Sequence, residues 1–434
     1  MDTNIKNKLN KIEKDHLFLL VEIGNIAKEI NQKAYLVGGM VRDLLLGFDN
    51  LDIDIVVEDN AHLLAETLVK KFPNSYLNAK HDRFHTAKVI FNVNDKNIPI
   101  DLASTREETY EHPAALPKVS VSNLKKDLIR RDFTINALAV SLLPDDFGSV
   151  VDLFDGLNDL DSKKIKILHD LSFIDDPTRM IRAVRFACKL GFKIEEKTQK
   201  LLNDAIKSKQ FDNLIDRIRG DRVKIEIRYL FNLPNIEEAV KIFFESGVCR
   251  IVNTSLRGEA EAISLSNPLL SQLDCFVANA PRNDVDRWLI CFAIMLHSHC
   301  NNRGLQEKIM LELKFTRKEM DIVLHGIDIF LHFNLKLEEL NSIFLYKLFN
   351  KYTLESILIA RILLLGKPEI IKFIDEYLAT TSKIKLEITG QDLISMGIPS
   401  GKKIGEILDK ILELKIKNSN MTKEDEIREA KELI

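Results

Sequence analysis

The run Leu51-Asp52-Ile53-Asp54-Ile55-Val56-Val57 sets two carboxylates two positions apart among apolar side chains. A strand alternates its side chains between faces, so Asp52 and Asp54 share one face and Ile53 and Ile55 the other. At a rise of ~3.3 Å per residue their Cα atoms lie roughly 6.5–7 Å apart. That separation lets both grip one hard cation or a pair of them. Without a cation or an arginine the two anions repel, and the arrangement costs stability. Oxygen-only ligation suits Mg²⁺, which keeps waters and recruits substrate phosphates. A solvated polar face on an edge strand is the competing reading for such a pair taken alone. A further acid, Asp101, sits in the apolar run Ile98-Pro99-Ile100-Asp101-Leu102-Ala103 and needs a partner or a metal. It serves as a third ligating carboxylate, as a base for an attacking hydroxyl, or as the partner of an arginine such as Arg106.

Other chemistry-bearing residues flank these acids. Gly38 and Gly39 follow the strand-like Tyr35-Leu36-Val37 and precede a helix start that carries Arg42. Two glycines let the backbone approach a ligand, and a helix N-terminus favours phosphate. Residues 118–135 hold five bases and two acids, a local net of +3, and contain Arg130-Arg131-Asp132 and Asn136 just beyond. Arginine offers multi-donor contacts to phosphate, and asparagine offers both donor and acceptor to sugar hydroxyls. Beyond Pro177, the spacing of Arg179, Arg182, Arg185 and Lys189 puts all four on one helix face. Residues 179–193 hold five bases and no acid. A solvated stripe is the bland alternative there.

These groups must be positioned by regular elements. Alternation predicts strands or strand-like segments over 34–37, 52–57, 86–91, 98–103 and 134–141, and helices over 23–33 and 40–46. From about Pro177 the pattern is almost wholly helical. Two prolines, Pro113 and Pro117, predict an irregular segment over 104–118. Trp288 and the apolar run through Leu296 read as a core helix. His297 and His299 have no carboxylate at ligand spacing, and the His-Asp pairs at 81–82 and 169–170 stand outside that helical half.

The 434 residues hold 62 bases and 65 acids, a formal net charge of −3, with 45% apolar and 29% charged residues. A chain this apolar is not wholly disordered. Near-neutral charge excludes a globally basic nucleic-acid coat, so any such contact comes from local basic stripes. No apolar stretch reaches the ~18 residues of a membrane span. Residues 1–17 lack the apolar core of a secretory signal. Five cysteines without a CxxC pair predict reduced thiols in a cytoplasmic protein.

Val37-Gly38-Gly39-Met40-Val41-Arg42-Asp43 followed by Asp52-Ile53-Asp54 resembles the class II tRNA nucleotidyltransferase and bacterial poly(A) polymerase family. The resemblance continues through residues 127–138, Asp155-Gly156, Asp175-Asp176-Pro177-Thr178-Arg179 to Phe186, and residues 216–226. It implies an α/β head, a polymerase-beta-like nucleotidyltransferase sheet with helices, followed by an all-α neck, body and tail. The corresponding expectations are a catalytic head over 1–150, a base-selecting neck over 151–235, a tRNA-binding body over 236–380 and an elbow-binding tail over 381–434.

The resemblance also implies roles. Asp52 and Asp54 hold Mg²⁺, with Asp101 the candidate third catalytic carboxylate. Gly38, Gly39, Arg42, Arg131, Asp132 and Asn136 meet the nucleotide's phosphates and ribose. Asp176 and Arg179 pair with the Watson–Crick edges of CTP and ATP, beside Arg182 and Arg185. Lys189, Lys402 and Lys403 contact RNA. Asp175 stands where the family has Glu, and Arg222 and Glu226 form a structural brace. The 104–118 loop takes part in switching from C to A. The activity implied is template-independent addition of CCA, or CC or A alone, to the tRNA 3′ end from CTP and ATP, with no membrane and no obligate protein partner. A poly(A) polymerase of the same family and a non-catalytic RNA-binding protein are the alternatives.

Overall fold

Seven strands build the sheet that carries the acids: β1 (Lys33–Val37), β2 (Ile53–Glu58), β3 (Ser75–His81), β4 (Thr86–Val93), β5 (Lys96–Ser104), β8 (Leu138–Ser141) and β9 (Val150–Asp152). Between them β6 (Arg106–Thr109) and β7 (Lys118–Val121) form a separate two-stranded ribbon. The computed structural model describes residues 5–49, 52–109, 118–208, 220–252, 286–299, 302–335 and 340–433. The spatial order is β3-β4-β5-β2-β1-β8-β9. Only β2 and β5 run parallel within this sheet. A parallel pair needs a long crossover, supplied here by helix Ala61–Lys71 and the β3–β4 hairpin.

Strand alternation gives each sheet face its character. Ile53, Ile55, Ile100 and Leu102 are buried together, while Asp52, Asp54 and Asp101 keep partial or full exposure on the other side. Helix Gly39–Leu46 starts directly after β1, because Gly38 adopts φ +76°, a conformation that disfavours side chains.

Several boundaries differ from the sequence reading. The helix expected over 23–33 is Lys14–Glu29, and Lys33 already belongs to β1. Asp52 stands just ahead of β2 rather than within it. The strand expected over 134–141 begins only at Leu138. Thr134–Asn136 is a 3₁₀ turn, since Thr134 Oγ1 donates to Asp159 and Asn136 Nδ2 reaches back to Asp132. Such local side-chain bonds compete with a strand ladder. Arg130-Arg131-Asp132 follows helix Leu124–Ile129, with Arg130 at its C-cap. The segment expected to be irregular over 104–118 is partly regular, because β6 pairs with β7; residues 110–117 lie outside the described residues.

The chain divides into two compact units, residues 1–226 with 241–254, and residues 227–240 with 255–434. In the first unit, helices Thr178–Leu190 and Glu196–Lys207 follow the sheet, with β10 (Lys164–Ile165) and β11 (Lys193–Ile194) paired in parallel. The expected head–neck boundary at 150/151 falls inside β9. The described part of the second unit is helical. Trp288 is buried in helix Arg287–His299, as expected for core. His297 is partly buried, and burial pushes its imidazole below the usual range; the His299 side chain lies outside the described residues. Residues 386–433 gather their own core around Leu393, Ile407 and Ile411. Helix Lys402–Lys417 starts behind Gly401, so Lys402 and Lys403 occupy its exposed first turn. Cys188, Cys249 and Cys291 are buried thiols outside any disulfide, while Cys275 and Cys300 lie outside the described residues.

Candidate active site

Register brings the acids together. Asp54 on β2 faces Asp101 on β5, and Asp101 in turn faces Lys88 on β4. Asp52, Asp54 and Asp101 each present an oxygen within 4.8 Å of the others, the one such group of His, Cys, Asp or Glu side chains among the described residues. Asp101 pairs with Lys88 Nζ at 2.9 Å. The arginine suggested as its partner, Arg106, instead donates to Glu108. Burial pushes the Asp54 carboxyl up to about 6, the charges of Asp52 and Asp101 push the same way, and Arg131 and Lys88 oppose them. An all-oxygen donor set of three carboxylates that Lys88 offsets only in part fits a hard divalent cation.

Gly38 stands over this cluster. A Cβ at Gly38 would lie 3.5 Å from both Asp54 Oδ2 and Arg131 Nη1. The backbone thus approaches the acids from one side and Arg131 from another. Arg131 is itself steadied by Asp127, 3.0 Å from its Nη2.

The next layer is a chain of alternating charges. Arg42 is buried and donates to Asp43 and, at 2.7 Å, to Asn136 Oδ1. Asn136 donates to Asp132 Oδ1 at 2.9 Å. Arg182 donates twice to Asp132 Oδ2, at 2.9 and 2.6 Å, and once to Glu226 at 2.7 Å. Arg185 donates to the other oxygen of Glu226 at 2.9 Å. Burial would raise the Asp132 carboxyl, but Arg182, Asn136 and the Phe133 N–H hold it below the usual carboxylate range. Phe186 lies against the guanidinium groups of Arg42, Arg182 and Arg185, 4.6–5.4 Å from its ring centre. The arginine stripe is therefore a fixed, largely buried lattice rather than a solvated face.

Asp176 and Arg179 sit at the start of helix Thr178–Leu190. Asp176 Oδ1 accepts from the Thr178 N–H and hydroxyl, and Oδ2 accepts from Arg222 at 2.6 Å. These bonds outweigh burial and hold its carboxyl below the usual range. Arg179 donates to Ser172 Oγ at 2.7 Å and to the Arg130 carbonyl at 2.6 Å. With the Ser172 carbonyl at 3.5 Å, these neutral acceptors fix the guanidinium plane and leave part of its five N–H groups unused.

A cavity of about 750 Å³ joins these parts. It is lined by Gly38, Gly39, Arg42, Asp52, Asp54, Arg131, Asp132 and Asn136, and by Asp176, Arg179, Arg182, Arg185 and Lys189. Asp101, the register partner of Asp54, is not part of the lining. Lys402 and Lys403 belong to the second unit. Sequence reasoning missed Glu108, Phe186 and Ile225 in the lining, and it set Arg222 and Glu226 apart as a brace although both line the cavity. Their spacing on helix Gly220–Phe231 gave one face but not its target; residues 216–219 of that motif lie outside the described residues.

Comparison with known proteins bears on this geometry. Residues 34–166 match the Poly A polymerase head domain, and residues 288–430 match a putative tRNA nucleotidyltransferase domain 2. The A-adding tRNA nucleotidyltransferase of Geobacter sulfurreducens is 32% identical over 94% of this chain. The chain spans only 46% of that relative's length. A solved apo form of a CCA-adding enzyme aligns over 100% of both chains at 31% identity, with a TM-score of 0.79. The Thermotoga maritima CCA-adding enzyme complexed with tRNA aligns over 100% of this chain and 99% of its own, at 30% identity and a TM-score of 0.77.

Proposed function

Because this chain belongs to the CCA-adding tRNA nucleotidyltransferase family, we propose that it extends the 3′ end of tRNA with C and A residues, taking CTP and ATP as substrates and using no nucleic-acid template. The 3′-hydroxyl attacks the α-phosphate in line, its proton leaves, and the bond to pyrophosphate breaks. Asp52, Asp54 and Asp101 would hold Mg²⁺, which supplies Lewis acidity toward the α-phosphate and the hydroxyl when bound. Gly38 brings backbone close to the phosphates, and Arg131 offers them guanidinium donors. Asp132 and Asn136, locked by Arg182 and Arg42, present ordered polar groups to the ribose.

Base choice falls to Asp176 and Arg179. A carboxylate accepts from the exocyclic amine that C and A share, and a guanidinium donates to a ring nitrogen or carbonyl oxygen. G and U place a carbonyl at the amine position, which faces the carboxylate unfavourably. Lys189, Lys402 and Lys403 offer phosphate contacts to the tRNA. We place the protein in the cytoplasm with that substrate.

One observation carries this reading: a single cavity is lined by the acidic pair and by the Asp176–Arg179 pair. A second reading, addition of A alone, is favoured by the A-adding relative. Purified protein supplied with tRNAs ending at the discriminator base, at C and at CC, with CTP and ATP separately and together, tests both. Incorporation of A on the CC-ending tRNA only selects the second reading. A long A tail points instead to a poly(A) polymerase, and no incorporation on any of the three rejects the proposal.

A further inference from the structure

We propose that Lys88 is the positioning residue of the acidic cluster, holding Asp101 beside Asp54 and setting the charge that the cluster offers to a cation; this rests on the reading of that cluster as the cation site. Three adjacent strands carry the relationship. Lys88 faces Asp101 across the antiparallel β4–β5 ladder, and Asp101 faces Asp54 across the parallel β5–β2 ladder. The ammonium lies 2.9 Å from Asp101 Oδ2. That contact occupies one carboxylate oxygen and leaves the other for ligation.

Charge gives the contact its consequence. Asp52, Asp54 and Asp101 repel one another within 4.8 Å. The side chains of Lys88 and Asp101 are 36% and 43% exposed, so an unheld Asp101 has room to swing into solvent, away from its neighbours. Arg131, the other cation beside Asp54, is already engaged by Asp127. With Lys88 in place the three carboxylates and one ammonium carry a net −2, the charge that one divalent cation neutralises. Without it the group carries −3 and one of its members is unrestrained. Lys88 therefore weakens the attraction for a cation and in return fixes the geometry in which the cation is held.

The two effects separate by experiment. Mn²⁺ binding to the full chain without nucleotide is followed by electron paramagnetic resonance, and single-turnover addition is followed on a tRNA lacking its terminal A. K88M is expected to bind Mn²⁺ roughly three- to tenfold more tightly, because a positive charge beside the ligands is gone. Its turnover is expected to fall about tenfold with the KM for ATP within about twofold, because Asp101 loses its orientation. K88R is expected to recover most of both changes. A K88M protein that binds Mn²⁺ no more tightly, or that turns over at the parent rate, overturns the proposal. If D52N leaves Mn²⁺ affinity at the parent value, the cation site itself is refuted, and the role of Lys88 with it.

Discussion

Asp54 and Asp101 face each other across the one parallel strand pair of the seven-stranded sheet. Burial above all, then the charge of Asp52 and more weakly that of Asp101, holds the Asp54 carboxyl at about 6 against an ordinary 3.8. A carboxyl raised on folding binds its proton more tightly in the native state. Its effect on stability is neutral below the unfolded pKa and turns unfavourable as pH rises from about 4 through about 6. At pH 7.5 an ionised Asp54 therefore destabilises the metal-free protein by about 1–2 kcal/mol, allowing for the solvent in the cleft. Asp54→Asn is expected to abolish nucleotide addition and to raise the melting temperature in EDTA at pH 7.5. The gain should vanish near pH 4. Melts of parent and variant across that pH range check it; an equal gain at both ends contradicts this origin.

The same acids predict how catalysis fails. Asp52→Ala removes a carboxylate that is exposed at the edge of the cavity, so folding should be unaffected. Addition of C or A is expected to be lost, while tRNA affinity measured by filter binding stays within about twofold, since tRNA affinity rests chiefly on basic contacts to phosphate. Surviving activity would show that the acids are not the catalytic centre.

Asp176 is locked by Thr178 and Arg222, and Arg179 by Ser172 and Arg130. Each lock uses only part of the group's bonding capacity, which leaves a rigid acceptor and a rigid donor for a base edge. Asp176→Ala is expected to cost roughly 10–100-fold in kcat/KM for ATP or CTP, the range of a lost specific base contact, and to narrow the gap to GTP and UTP. Arg222→Ala leaves the Asp176 carboxylate in place but frees it to turn, so a smaller loss in the same direction is expected. Steady-state kinetics with all four nucleotides decide it; a uniform loss for every nucleotide would assign Asp176 a purely structural part.

Glu226 binds Arg182 through one oxygen and Arg185 through the other, and it is largely buried. Removing it leaves two guanidinium groups close together without the anion they share. Glu226→Ala is expected to destabilise the protein by roughly 2–3 kcal/mol, below the full cost of breaking a wholly buried pair because Arg182 is partly exposed. Urea denaturation measures this, and an unchanged midpoint would refute it.

How much of this was legible depends on the range of the interactions. The Asp52–Asp54 pair, the glycine turn and the basic face of helix Thr178–Leu190 follow from periods of two and 3.6 within one element. The partner of Asp101 did not follow, because Lys88 reaches it through strand register, and a sequence shows no register between strands. The family resemblance assigned Arg42 to the nucleotide. The structure keeps it in the cavity lining and adds a contact that no spacing reveals, its guanidinium bracing Asn136 ninety-four positions away. The apolar run before Ser141 read as one strand, because alternation does not reveal that Thr134 and Asn136 find partners in Asp159 and Asp132. Phe186 carried no role in the sequence beyond closing the family-like segment, and only the fold places three arginines around it.

Lys402 and Lys403 open helix Lys402–Lys417 behind Gly401, with both side chains exposed. Lys402 makes one exposed i,i+4 pair with Glu406 at 3.5 Å, a contact of little energetic weight. Replacing both lysines by alanine should therefore leave folding intact. Each phosphate contact releases condensed counterions, so each contributes about 0.7–0.9 to the slope of log affinity against log salt. The double variant is expected to bind tRNA more weakly at low salt and to lower that slope by about 1–2. The KM for CTP or ATP should not move, because the cavity proposed for the nucleotide belongs to the other unit of the chain. Fluorescence anisotropy with labelled tRNA over a salt series measures the slope; parallel lines for parent and variant would remove these lysines from the RNA interface.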